Sequence, residues 1–154
     1  MSGVLPNQEI EKLIEVGSIT SDVPIDPEQI QPASLDLRLG GKAFRIRASF
    51  LPGSREKVED RLKSLKMHEI DLMDGAVLEK GCVYLIPLLE ELNLSPDIQA
   101  AANAKSSTGR LDLLTRVITN SGEEFDRVSS GYCGKLYAEI CLLYTSPSPR
   151  DIVG

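Results

Sequence analysis

From Ser34 the chain alternates with period two. In S-L-D-L-R-L, Leu35, Leu37 and Leu39 fall on one side and Asp36 and Arg38 on the other. Gly40-Gly41 supplies a turn. A-F-R-I-R-A-S-F then alternates again, with Phe44, Ile46 and Ala48 against Arg45 and Arg47, until Pro52-Gly53 breaks the pattern. Successive side chains of a strand point to opposite faces, so this pattern reads as strand in both segments.

Further strands are expected at Glu69–Leu72, Ala76–Glu79, Gly81–Ile86, Leu113–Thr119 and Lys135–Ile140, with a turn opened by Ser95-Pro96-Asp97. Two segments follow the helical period instead. Asn7 reads as the N-cap of an opening helix whose apolar face is Ile10, Leu13 and Ile14 and whose stop is Gly17. Ser54–Leu65 carries Val58, Leu62 and Leu65 on one stripe. Between them, Val23-Pro24-Ile25-Asp26-Pro27 reads as extended. The expected class is mostly β with a few short helices. A chain of 154 residues has room for one core of this kind but not comfortably for two.

Charge narrows the partners. A net charge of -6 argues against a bulk electrostatic grip on nucleic acid or an anionic membrane. It leaves a phosphorylated small molecule open, because a few local cations and a metal ion suffice for one triphosphate. No apolar run approaches the roughly 20 residues that span a bilayer. Met1–Pro6 lacks the basic stretch and apolar core of a secretory signal, so a cytoplasmic protein is expected.

Cys82, Cys133 and Cys141 form neither a metal-ligand pattern nor a disulfide framework; Cys82 and Cys133 read as buried small hydrophobes. His68 is the sole histidine and falls at the end of the second expected helix. The zinc nucleobase deaminases need a His or Cys, a nearby Glu and a Cys-x-x-Cys pair. A chain without these that deaminates a base must activate water with a carboxylate, and no zinc is expected.

Two stretches carry the candidate chemistry. A-K-S-S-T-G-R-L (Ala104–Leu111) combines small hydroxyl residues and a glycine with Lys105 and Arg110. Successive backbone amides and a forked guanidinium suit phosphate oxygens, although segments of this composition are more often plain polar loops. The second stretch is E-F-D-R-V-S-S-G-Y-C-G-K-L-Y-A-E-I (Glu124–Ile140). Its alternation places Leu136, Ala138 and Ile140 on one face and Lys135, Tyr137 and Glu139 on the other. A carboxylate among apolar neighbours suits a general base. By pattern alone, a solvated sheet face is the commoner setting for Glu139. Arg38, Arg45 and Arg47 read as solvated or ion-paired.

Q-P-A-S-L-D-L-R-L-G (Gln31–Gly40), K-S-S-T-G-R-L (Lys105–Leu111) and G-Y-C-G-K-L-Y-A-E-I (Gly131–Ile140) occur in the order found in the dCTP deaminase/dUTPase superfamily. Over Met1–Ile140 the chain most resembles the longer bacterial 2'-deoxycytidine 5'-triphosphate deaminases. The resemblance implies a distorted β-barrel-like fold of the β-clip (dUTPase-like) type. It implies hydrolysis of dCTP to dUTP and ammonia, with Glu139 activating water. Ser106 and Arg110 join Glu139 in the implied catalytic set, and Lys105, Ser106, Ser107, Arg110 and Asp126 in the implied nucleotide-binding set. Mg²⁺ is implied with the triphosphate, and a homo-oligomer, commonly a trimer, as the assembly. Asp126 matches the aspartate that activates water for pyrophosphate cleavage in the dUTPase branch. A dUTP pyrophosphatase, a bifunctional enzyme, and a non-catalytic nucleotide-binding half of a two-domain protein are the rival readings. The spacing from Asp126 to Tyr132 is longer than in short relatives, and Lys105 stands where they more often have arginine.

The end of the chain reads differently. C-L-L-Y-T-S-P-S-P-R-D (Cys141–Asp151) resembles the translation of a transposase-type sequencing adapter, with Ile152, Val153 and Gly154 as index bases read as codons. An ordinary Ser/Pro-rich tail is the alternative. The expected division is a deaminase-like domain at 1–140 and an adapter-derived tail at 141–154. The natural protein is then expected to continue past Ile140, and the chain alone to lack a complete active site.

Overall fold

The structure, a computed structural model, describes residues 6–53, 55–73, 75, 77–103 and 113–142. In chain order the elements are α1 (Asn7–Glu15), β1 (Ile19–Ser21), a 3-10 turn (Pro27–Gln29), β2 (Lys42–Ile46), α2 (Val58–Leu65), β3 (Lys66–Asp71), β4 (Val83–Asn93), β5 (Ala100–Ala101), β6 (Leu113–Thr119), β7 (Arg127–Val128) and β8 (Cys133–Leu142). The fold is mostly β, as expected. One open antiparallel sheet runs β3-β2-β4-β8-β6, with β1 added to β4, and β5 pairs with β7 in a small second sheet.

Both faces of β8 are buried, although alternation led us to expect a solvated one. Ala138 and Ile140 pack with Ala43, Leu78, Tyr84 and Ile86. On the other face Tyr137 packs with Ile46, Phe50, Val58, Leu85 and Ile118, where α2 closes the layer. A strand buried on both sides needs more than alternation to be recognised, because the covering elements come from elsewhere in the chain. α2 starts at Val58 rather than Ser54. Its N-cap, Lys57, offers no capping side chain, and the Val58 N–H donates instead to Asn120 Oδ1 at 2.8 Å. Glu59 and Asp60 in the first turn and Lys63 in the last match the helix dipole.

The segment S-L-D-L-R-L does not form a regular strand. It makes isolated bridges only, Ile30 to Leu35 and Leu39 to Leu88. Alongside it, β4 itself shifts register against β8 between Pro87 and Glu91. There the buried Glu90 carboxylate, not a carbonyl, accepts the Arg38 N–H at 2.7 Å. Leu89 N donates to Arg38 O and Gly40 N to Pro87 O, so the segment still follows β4.

Other expectations also shift. Asn7 is the first helical residue, and its N-cap is Pro6. Residues 77–79 form no strand, although Leu78 is buried. His68 lies in β3 opposite Arg45 rather than at a helix end, because α2 gives way to strand at Lys66. Cys133 is exposed and Cys82 only partly buried. Among the described residues no helix is long and apolar enough to cross a membrane.

Candidate functional site

Glu139 is a buried charge with a complete set of partners. The β8 register sets it between Leu85 of β4 and Arg116 of β6, on the same face as Tyr137. Only 2% of it is exposed. Arg116 Nε donates to Oε2 at 3.0 Å, and Nη2 lies 2.7 Å from the same oxygen in the ion pair. Ser49 Oγ donates to Oε1 and accepts from Arg116 Nη2 at 3.2 Å, which closes a three-residue ring. The Arg116 guanidinium carbon stands 3.9 Å from the centre of the Phe125 ring, a cation–π distance. A carboxylate taken out of water needs such pairing, and a forked guanidinium supplies it best. Arg116 remains 29% exposed at its side chain, so the cluster meets solvent on that side.

The turn before β8 sets this register. Gly131 has φ +74°, a conformation that favours glycine. Tyr132 Oη accepts from Asn120 N at 2.9 Å and donates to Lys135 O at 2.5 Å, tying the loop after β6 to the start of β8. Burial, above all, raises the Tyr132 hydroxyl pKa. Beside the site, the Cys141 thiol is raised by burial first and by the Glu139 charge second.

Asp126 is used differently. Its φ is +61°; its Oδ1 accepts the Val117 N–H at 2.7 Å, and its own N–H donates to Val117 O at 2.9 Å. Both Val117 groups therefore point away from β8, and Asp126 lies at the outer edge of β6. It is not part of the hydrogen-bond ring around Glu139. Lys105, Ser106, Ser107 and Arg110 lie outside the described residues.

Sequence reasoning missed Arg116 and Ser49. Arg116 had a usable signal: it is the one charge in L-L-T-R-V-I-T, and a charge on a buried strand requires a partner. Ser49 had none.

Among the described residues, cavities open elsewhere. One of about 1340 Å³ has a mostly apolar lining that includes Leu37, Leu88, Val117, Ala138 and Ile140, on the opposite face of β8. One of about 680 Å³ lies beside Lys57, Asn120, Tyr132 and Lys135. Glu139, Arg116 and Ser49 line neither.

The family described as 2'-deoxycytidine 5'-triphosphate deaminase (DCD) N-terminal domain matches residues 1–146. A protein of Tropheryma whipplei (strain Twist) named "dCTP deaminase, dUMP-forming" is 31% identical over 144 residues, covering 94% of this chain and 69% of that protein. A protein of the same name from Methanothermobacter thermautotrophicus is 31% identical over 139 residues, covering 89% and 67%. The crystal structure of 2'-deoxycytidine 5'-triphosphate deaminase from Agrobacterium tumefaciens superposes with a TM-score of 0.87 at 53% identity. That match covers 91% of this chain but only 42% of the Agrobacterium chain.

Proposed function

The chain belongs to the 2'-deoxycytidine 5'-triphosphate deaminase family, and from that premise we propose that its protein hydrolyses dCTP to dUTP and ammonia with Glu139 as the general base. The observation that carries this reading is the buried Glu139, held by Arg116 and Ser49 on the strand that follows the G-Y-C-G turn.

In the proposed reaction Glu139 takes a proton from water as the water oxygen bonds to C4 of the cytosine. The proton then passes to the amine, the C4–N4 bond breaks and ammonia leaves, while the second water proton moves from the new hydroxyl to N3 and leaves the C4 carbonyl of uracil. Ser106 holds the reacting water or the base, and Lys105, Ser107 and Arg110 orient the phosphates. Mg²⁺ arrives with the triphosphate as part of the substrate. Water activation needs no zinc in this scheme. A cytoplasmic homo-oligomer, with a trimer as the leading case, completes the proposal.

The test is Glu139→Gln in the protein, with ammonia release from dCTP and nucleotide binding measured side by side. Loss of ammonia release with binding retained is expected; near-normal turnover overturns the assignment.

The names of the Tropheryma and Methanothermobacter relatives favour a second reading, in which the same protein also cleaves pyrophosphate and yields dUMP. Asp126 is the candidate for that step. Chromatography of the products separates the two readings, since dUTP alone excludes the second. If dUMP and pyrophosphate form, Asp126→Asn should stop their formation while ammonia release continues.

A further inference from the structure

We propose that Arg116 is a positioning residue that reserves Oε1 of Glu139 for proton transfer; the inference rests on the reading of Glu139 as the base. Both Arg116 nitrogens that reach Glu139 lie against the same oxygen, Oε2, at 3.0 and 2.7 Å. A guanidinium donates and never accepts, so a water approaching Oε2 must displace an ion pair on a buried carboxylate. At Oε1 the partner is the Ser49 hydroxyl, which is neutral, rotatable and on an exposed residue. A water or a bound base can take that place at far smaller cost.

The clamp is itself held from three sides. Arg116 and Glu139 are directly opposed in the β6–β8 ladder. Phe125 lies against the guanidinium plane. Phe125 is fixed in turn by its neighbour Asp126, whose main chain and carboxylate both bind Val117, the residue after Arg116. The backbone, the aromatic ring and the ion pair thus fix one orientation of the carboxylate plane. A proton acceptor has to be held within a fraction of an ångström for efficient transfer.

The experiment compares Arg116→Ala, Arg116→Lys and Glu139→Gln for steady-state dCTP deamination, with thermal melting to confirm folding and free guanidinium ion added as a rescue agent. Arg116→Ala should lower kcat about a hundredfold with KM changed less than about threefold, as expected for lost orientation rather than lost binding. Guanidinium ion should restore at least about tenfold of that loss, while Arg116→Lys, a point donor without the fork, should stay at least about tenfold down. A kcat within about threefold of the parent overturns the proposal, as does a loss expressed wholly in KM. Loss in a folded Arg116→Ala variant that guanidinium leaves unchanged also overturns it. If Arg116→Ala does not fold, Arg116→Lys decides by the same kcat criterion. Near-normal turnover of Glu139→Gln would instead show that the base assignment itself is wrong. An inactive Glu139→Gln beside a near-normal Arg116→Ala would remove the positioning role alone.

Discussion

Arg38 binds the Glu90 carboxylate twice, through its main-chain N–H at 2.7 Å to Oε1 and through its side-chain Nε at 2.8 Å to Oε2. Gln29 Nε2 adds a third donor at 3.2 Å, and the remaining guanidinium donors reach Val23 O, Pro24 O and Ser21 Oγ. One fully buried carboxylate therefore gathers the 3-10 turn, the irregular segment after it and β4. Glu90→Ala should cost about 3 kcal/mol, the lower end for breaking a buried pair, because Arg38 keeps some contact with water. Urea denaturation measures it, and a loss below about 1 kcal/mol would show that the pair contributes little.

Gly40 lies where two backbones nearly touch. A Cβ built there would stand 2.6 Å from Pro87 O, a main-chain atom that cannot swing aside. Gly40→Ala should destabilise the protein by about 2 kcal/mol through forced backbone displacement. An unchanged melting temperature would contradict the close approach.

Tyr132→Phe removes one hydroxyl and leaves two main-chain groups, Asn120 N–H and Lys135 C=O, without that partner. The expected loss is about 1 kcal/mol, the net contribution of a hydrogen bond among partly exposed groups. Faster hydrogen exchange at the Asn120 amide is the specific signature. Slowed or equal exchange would argue against the bridge.

Tyr137 gives a pH test. Its hydroxyl pKa is pushed up by burial and then by the neighbouring Glu59 charge. The folded protein thus retains this proton after the unfolded chain, with a tyrosine pKa of about 10, has begun to lose it. Its contribution is complete below about pH 10 and is lost as pH climbs through the folded value. Tyr137→Phe should be less stable by about 1 kcal/mol at pH 8, for want of the hydrogen bond to Glu59. That deficit should shrink at pH 11. Denaturant melts at the two pH values decide, and a deficit that grows with pH refutes the sign.

The legible parts of this fold are those whose signal is local. β6 was read to its boundaries, and β8 to within two residues at each end, because both are short alternating runs next to turn residues. The S-L-D-L-R-L segment alternates just as well, yet its pairing is set by Glu90, 52 positions from Arg38, which no local pattern reports. Glu139 shows the same limit at the candidate site. Alternation placed it correctly on the Tyr137 face. What buries that face is α2 together with Phe50, and what pairs the charge is Arg116, all remote in sequence. The fold and family were legible from ordered motifs; the ring of Ser49, Arg116 and Glu139 was not.

The place of β8 in the sheet bears on how the chain reaches its fold. Its partners β4 and β6 both precede it and, among the described residues, are joined in the sheet through it. On a ribosome, β4 emerges tens of residues before the strand that will cover its inner edge, and β6 emerges with no described ladder partner yet made. The sheet then closes in one late step, when β8 slides between two waiting neighbours. Non-local pairing of this kind is slow and leaves strand edges bare meanwhile. Nascent chains paused before residue 133 should therefore be the ones that chaperones bind and that aggregate.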